Sequence, residues 1–395
     1  MTHTYSFEHD AYLQELETEL VETGVEGERP FAVLEDTILY PEGGGQPADR
    51  GSIGDIPVDD VQRREGAIRH YLERPLEPGP VTVRLDWRRR FDHMQQHTGQ
   101  HLVTAIAHDR FGWPTTAFHL GEQVSDIELD VPGLAPLQIE MLEEAVAAEI
   151  RAGRPVSIRR VSPEALADLD VRTRGLPPGH HGEVRLVEIA GVDLNTCGGT
   201  HVRSTAEIEA IKFLGTEPMR GGTRLFYVAG GRVRHRLAAH EARTARLRSL
   251  LGTPDEEIAS AVEARLELGR AGEKRMHALE EEFATVLAAA MAARPERVVS
   301  VHLEGKDAGF LQRIAKRLSG SDKVALLTAS AGEQGFFVLV AGPGVAFDVQ
   351  AAGREIAEAM GARGGGSGRT FQGKVNSLGG REAALARLRA LVNGA

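Results

Sequence analysis

Hydrophobic and polar positions change period several times along this chain, and the changes mark out its elements. In the first ninety residues the pattern predicts a short helix at 12–21, strands at 31–34 and 37–40, a glycine loop at 42–45 and an alternating strand at 81–87. Such closely spaced short strands predict a small β-barrel. From 91 to 231 the pattern is mixed. A helix is expected at 92–111, carrying Leu102 and Ile106 with His97 and His101 around it. A strand at 125–130, an amphipathic helix at 137–152 and strands at 184–189, 208–213 and 223–228 follow.

Residues 232–295 are charged and alanine-rich. Met276, Leu279, Phe283, Val286 and Ala290 recur at alternating three- and four-residue intervals, a single apolar seam on a helix. Gly252-Thr253-Pro254 should break this segment into a hairpin or paired coil. The seam either packs within the chain or joins two copies as a homodimer. From 296 to 395 strands and helices alternate (strands 298–303, 324–328 and 336–341; helices 310–318 and 349–360), an α/β pattern. Its glycine-rich loop, 361–369, reads as a phosphate cradle, because closely spaced backbone N–H groups and arginines favour anions. The fold class expected for the whole is α+β, in four parts: 1–90, 91–231, 232–295 and 296–395.

Composition narrows the possibilities. With 395 residues and 42% hydrophobic content, the chain has room for two or three ordinary globular domains. It contains no apolar run of about 18 residues and no signal-like start, so a cytoplasmic location away from membranes is expected. One cysteine excludes an internal disulfide. The net charge of −11 argues against a nucleic-acid partner, yet residues 296–395 hold 13 Lys and Arg against 9 Asp and Glu. That imbalance is either compositional scatter or a sign of RNA contact.

The chemistry concentrates in two half-motifs. His97-Thr98-Gly99-Gln100-His101 and Cys197-Gly198-Gly199-Thr200-His201 each pair ligand-type side chains at i and i+4. Together they form a His3Cys set suited to one zinc ion. The glycines between Cys197 and His201 permit close backbone approach. The first motif lacks the glutamate of His-Glu-x-x-His, which removes the general base of a zinc peptidase. Four protein donors also fit a closed structural site, so spacing alone leaves a catalytic and a structural zinc both open.

These residues with their flanks, 91–102 and 192–202, together with the glycine-rich stretch Asp36-Thr37-Ile38-Leu39-Tyr40-Pro41-Glu42-Gly43-Gly44-Gly45-Gln46-Pro47-Ala48-Asp49-Arg50-Gly51, resemble the alanyl-tRNA editing proteins, freestanding relatives of the editing domain of alanyl-tRNA synthetase. The resemblance covers roughly residues 1–230. It implies one Zn2+ on His97, His101, Cys197 and His201, and hydrolysis of tRNA(Ala) mischarged with serine or glycine. No synthetase-like ATP-binding domain is expected. In that setting Gly43, Gly44 and Gly45 would approach the substrate, and Thr37 would hydrogen-bond a seryl hydroxyl. Gln100 and Thr200 would either orient water or make ordinary hydrogen bonds behind the ligands. His93 reads as a fifth donor or a helix-surface histidine, and His180 and His181 as part of a lid or a solvated turn. The tail is similar to the synthetase's C-terminal dimerisation and tRNA-binding domain, but departs from it after Arg369. A non-catalytic tRNA-binding module with a structural zinc stands as the alternative. A DHH-type phosphoesterase is disfavoured, because no Asp-His-His triplet occurs.

Overall fold

The computed structural model describes residues 4–173, 182–332 and 334–394. The chain divides into two compact units, Met1–Arg246 and Leu247–Ala395.

The first unit opens with helix α1 (Ser6–His9) and strands β1 (Glu15–Glu26), β2 (Arg29–Leu34), β3 (Gly51–Ile53), β4 (Ile56–Arg64), β5 (Ala67–Leu72) and β6 (Gly79–Leu85). They pair antiparallel in the order β1-β2-β5-β4-β3-β6, and β6 pairs back onto β1, so the sheet closes into a ring around Leu20, Ile53, Val61, Ile68 and Val83. Two expectations fail here. The 12–21 stretch is not a helix: Leu13, Leu16 and Leu20 mimic a helical stripe, but β1 is paired on both sides, to β2 and β6. Residues 37–40 form no strand, because side chains satisfy their backbone. Asp36 Oδ1 accepts from the Thr37 N–H, Asp49 Oδ2 accepts from the Tyr40 N–H at 2.7 Å, and Arg90 donates to Ile38 O at 2.6 Å.

Helix α2 (Trp87–Phe111) starts five residues before the expected point, because Asp86 caps it by accepting from the Arg89 N–H. It stops at Gly112, where φ is 68°. Arg90 in its first turn is fully buried. It donates to Asp49, Ala11 O and Ile38 O, and so ties the helix to the ring. Beyond it come β7 (Thr115–His119), β8 (Ser125–Leu129), α3 (Pro136–Arg151), β9 (Val156–Val161), α4 (Pro163–Ala167), β10 (Val184–Ile189), β11 (Asp193–Thr196), β12 (Ile211–Met219) and β13 (Gly222–Ala229). They form antiparallel sheets β12-β13-β8-β7 and β11-β10-β9. Met94, Leu102, Val103 and Ile106 of α2 share one core with Leu142, Ile189 and Leu225. The strand expected at 208–213 begins later, because Ile208 ends a 3-10 turn and is wholly buried.

Helix α5 (Gly231–Leu251) contains the boundary between the units, and the chain turns at Gly252 (φ 69°) before α6 (Ile258–Ala292). The break at 252–254 is therefore where the pattern placed it. The seam is not the buried face of α6: Ala284, Ala288 and Met291 pack inward, while Met276, Leu279 and Val286 are exposed.

The second unit continues with β14 (Val298–Glu304), α7 (Ala308–Leu318), β15 (Val324–Ala331), β16 (Gln334–Ala341), α8 (Val349–Ala359), β17 (Arg363–Ser367), β18 (Thr370–Val375) and α9 (Arg381–Asn393). The sheet order is β14-β15-β16-β18-β17, with only β14 and β15 parallel. The expected phosphate cradle is an edge hairpin. A Cβ at Gly364 would lie 2.5 Å from Gln372 O, so its glycine lets β17 close onto β18. Among the described residues no helix is long and apolar enough to cross a membrane.

Candidate metal centre

Helix α2 presents His97 and His101 one turn apart, and β11 delivers Cys197 to the loop that ends at His201. The two half-motifs form a single cluster, with one donor atom from each of the four side chains all within 4.8 Å of one another. Cys197 Sγ lies 3.3 Å from His201 Nε2 and 3.5 Å from His97 Nε2. The imidazole centroids are 4.5, 4.8 and 5.2 Å apart. Three imidazoles and a thiolate at this separation suit one borderline-soft cation.

Each imidazole is oriented through its other nitrogen. His97 Nδ1 is 2.9 Å from Gln46 Oε1, His201 Nδ1 is 3.1 Å from Thr98 Oγ1, and His101 Nδ1 is 3.1 Å from Asp193 Oδ2. With Nδ1–H donating in each case, the Nε2 lone pairs are left for a metal, and the donor set fits zinc. Asp193 in turn faces Arg172 Nε at 3.0 Å, and Arg172 also pairs with Asp109.

Close backbone approach depends on particular glycines. A Cβ at Gly199 would overlap the His97 ring and lie 2.8 Å from Gln46 Oε1. Gly44 and Gly45, at φ 58° and 82°, form the turn that brings Gln46 in, with Gly43 and Gln46 exchanging backbone hydrogen bonds. Gln46 then spans the site: its Oε1 accepts from the Thr200 N–H at 3.0 Å and its Nε2 donates to Thr200 Oγ1 at 2.9 Å. Arg185 from β10 donates to Cys197 O at 2.7 Å and Gly199 O at 2.9 Å, which fixes the loop from behind.

The neighbouring imidazoles poise Cys197 as a thiolate, its ligand form. Burial pushes the Cys197 thiol up, but His97, His201 and His101 outweigh it and hold the group well below the ordinary thiol range. Burial lowers His201 to about 3. His101 is also depressed by burial, yet Asp193 and Cys197 overcome this and raise it to about 9.

A cavity of about 530 Å3 opens onto this cluster, walled in part by His97, His101, Cys197, Gln100, Phe118 and Gly44. Gln100 donates from Nε2 to Thr104 Oγ1 at 2.8 Å, while its Oε1 is buried without a partner. Gly43 and Gly45 wall a neighbouring cavity that shares Gly44. Thr200 is buried and engaged by Gln46, away from the cavity wall. Thr37 is likewise not brought to the metal: it is fully buried in the ring, 2.9 Å from His70 Nε2, and its Oγ1 accepts from the Leu39 N–H. His93 is neither a fifth donor nor a surface residue. It is buried, outside the ligand cluster, and burial with Arg89, Arg232 and Arg90 lowers it to about 3. His180 and His181 lie outside the described residues.

Gln46, Thr98, Asp193 and Arg185 were not singled out from the sequence. The usable signal was the rule that a metal-binding histidine needs an acceptor for its second nitrogen. Gln46 and Asp193 both stand inside the motifs quoted for the resemblance.

Comparison with known proteins points the same way. Residues 184–227 match the family model described as the threonyl and alanyl tRNA synthetase second additional domain. The chain is 40% identical over 365 residues to the alanyl-tRNA editing protein Aarsd1 of Mus musculus, covering 91% of this chain and 88% of that protein. To the Danio rerio counterpart it is 39% identical, over 87% of this chain and 84% of the relative. It is 33% identical to the alanine–tRNA ligase of Methanothrix thermoacetophila, over 89% of this chain but 41% of that enzyme. Identity at this level, sustained along nearly the whole of both chains and including the segments that build the metal cluster, makes this protein a member of the alanyl-tRNA editing protein family.

Proposed function

We propose that this protein is a zinc-dependent deacylase that hydrolyses the ester of mischarged tRNA(Ala), chiefly seryl-tRNA(Ala) and also glycyl-tRNA(Ala). The observation that carries the reading is the His97, His101, Cys197 and His201 cluster on the wall of an open cavity. Four protein donors are also the set of a structural zinc, so it is the open cavity beside the cluster, and not the ligand count, that favours the catalytic reading.

Zinc held by His97, His101, Cys197 and His201 would supply Lewis acidity to the ester carbonyl or to water. The surrounding residues do the rest. Gln46, Thr98 and Asp193 hold the imidazoles with Nε2 inward, and Arg185 holds the Cys197 carbonyl. Gly44, at the junction of two cavities, leaves backbone room for the 3′ end of the RNA. Gln100 lines the cavity and its Oε1 is buried with no hydrogen-bond partner among the described residues, so a rotation of its amide would offer an acceptor to a seryl hydroxyl or the α-ammonium group. A site that pairs a hydroxyl can discriminate against an analogue lacking it by about 10⁴- to 10⁵-fold, which would also make the glycyl ester the slower of the two substrates. Thr200 acts behind the ligands by fixing Gln46. Serine selection by Thr37 would require its hydroxyl to leave His70, so Gln100 is the better-placed selector. Exposed Met276, Leu279 and Val286 on α6 support a homodimer, and a reduced Cys197 fits the cytoplasm.

The test is deacylation of seryl-, glycyl- and alanyl-tRNA(Ala) by purified protein, before and after chelation and with zinc restored. Seryl hydrolysis that disappears on chelation and returns with zinc supports the proposal. Zinc-loaded protein that binds tRNA but hydrolyses none of the three would leave the structural-zinc module as the answer.

A further inference from the structure

The net charge of −11 hides a concentrated positive element. Helix α5 carries six arginines against one glutamate over Gly231–Leu251 and buries none of its residues. Its arginines are not equivalent. Arg232 is anchored, clasping Asp92 of α2 at 2.6 Å and donating to Gly121 O at 2.7 Å. Arg234 pairs with Glu209, and Arg248 with Asp255. Arg236, Arg243 and Arg246 are exposed, with no carboxylate partner among the described residues.

Those three free arginines share one side of the helix. At 3.6 residues per turn, positions 236, 243 and 246 fall within an arc of about 80° and span about 15 Å along the axis. Glu241 lies on the opposite side. Three unpaired guanidiniums in a row on a solvent-facing helix have self-repulsion and no internal compensation, which calls for a polyanion. At the foot of α5 a cavity of about 580 Å3 adds Arg88, also exposed and without a carboxylate partner among the described residues. Because Arg232 is clamped to Asp92, five residues before His97 on the same helix, the stripe starts from the element that carries the metal ligands.

We infer that the Arg236/Arg243/Arg246 face of α5 is a phosphate-binding track for the RNA whose aminoacylated end enters the metal cavity. This rests on the deacylase reading for the identity of the polyanion. Guanidinium is suited to phosphate, which it meets through paired N–H donors. A backbone track carries affinity without sequence information, so it would set KM rather than the choice of amino acid.

The experiment uses the full-length, zinc-loaded protein with the triple variant Arg236→Gln/Arg243→Gln/Arg246→Gln. Glutamine preserves length and helix propensity while removing charge. The expected result is a rise in KM and in Kd for tRNA of roughly tenfold, with kcat and zinc content retained. The slope of log Kd against log salt should become shallower by about two to three. Glu241→Lys, which adds charge on the far face, controls for net charge and should not reproduce the slope change. Unchanged Kd and slope in the triple variant would overturn the inference. So would a fall in kcat at constant KM, or binding to phosphatidylserine vesicles that the triple variant loses while tRNA binding stays intact. If the wild type binds tRNA with an arginine-dependent slope yet hydrolyses no charged tRNA, the track stands and the deacylase reading fails.

Discussion

Replacing Asp193 with asparagine tests whether the polar residues behind the ligands tune the metal centre. Asp193 is the only carboxylate among the three acceptors that orient the histidines, and it is 6% exposed. Its Oδ2 accepts from His101 Nδ1–H at 3.1 Å, and its Oδ1 makes an ion pair with Arg172 Nε at 3.0 Å without hydrogen-bond geometry. An asparagine has one oxygen and one NH2 in those places. Whichever way the amide turns, one donor confronts another, and the carboxylate that favours the charge of a metal-bound imidazole is gone. Loss of such a partner lowers metal affinity by about 10- to 100-fold, or about 1.4 to 2.7 kcal/mol. One donor clash and the lost charge together place Asp193→Asn towards the upper end, whereas Gln46→Leu removes a neutral acceptor from His97 and also frees Thr200 N–H and Oγ1, so its loss falls anywhere in the range. Zinc affinity read by competition with a chromophoric chelator gives both values, and thermal melts of the metal-free proteins separate affinity from folding. An Asp193→Asn affinity within twofold of wild type, with an unchanged apo melting temperature, would refute the reasoning.

The remaining predictions address the cluster, the cavity and the ring. Cys197→Ala should lose most of about one equivalent of bound zinc, measured by elemental analysis, and Gly199→Ala should do the same through overlap with His97, costing about 1–3 kcal/mol of strain. Gln100→Leu should retain zinc and slow seryl-tRNA hydrolysis roughly two- to tenfold, the worth of one hydrogen bond, and an unchanged rate would remove it as a selector. Thr37→Val should leave the serine-to-alanine rate ratio within about twofold while destabilising the ring by about 1–3 kcal/mol in denaturant melts, since His70 Nε2 loses its partner. Burial depresses His70 from 6.5 to about 4, so the unfolded chain binds its proton first as pH falls. Stability should therefore drop by up to about 3 kcal/mol between pH 6.5 and 4 from this group, and His70→Gln should flatten that part of the profile.

How legible each feature was depended on whether its cause was local. The ligands could be read because His97/His101 and Cys197/His201 are each four residues apart, a spacing with a direct geometric meaning. Their supports could not, since Gln46 is 51 residues from His97 and Asp193 is 92 from His101. Helix α2 was legible from its apolar face, but its first turn depends on the Asp86 cap. β1 was misread because leucines at 13, 16 and 20 carry a helical spacing, while the strand is decided by partners on both flanks. The 361–369 stretch was misread for a related reason: glycine composition suggests a loop, and only the register with Thr370–Val375 shows the glycines closing a hairpin.

Charge shows most sharply why composition and structure can point in opposite directions. A whole-chain balance of −11 discounts RNA, and the modest excess at 296–395 draws attention to the C-terminal part. Folding redistributes the account. Many of the arginines are spent on carboxylates or carbonyls: Arg90 on Asp49, Arg172 on Asp193 and Asp109, Arg232 on Asp92, Arg313 and Arg317 on the Glu280–Glu281 pair. What a polyanion meets is the unpaired remainder, and salt screening restricts it to charges within roughly 8–10 Å. On that local scale α5 is strongly cationic even though the protein is acidic. A negative total charge disfavours RNA at long range, so the local cationic face of α5, rather than the whole-chain balance, decides whether a polyanion can dock there.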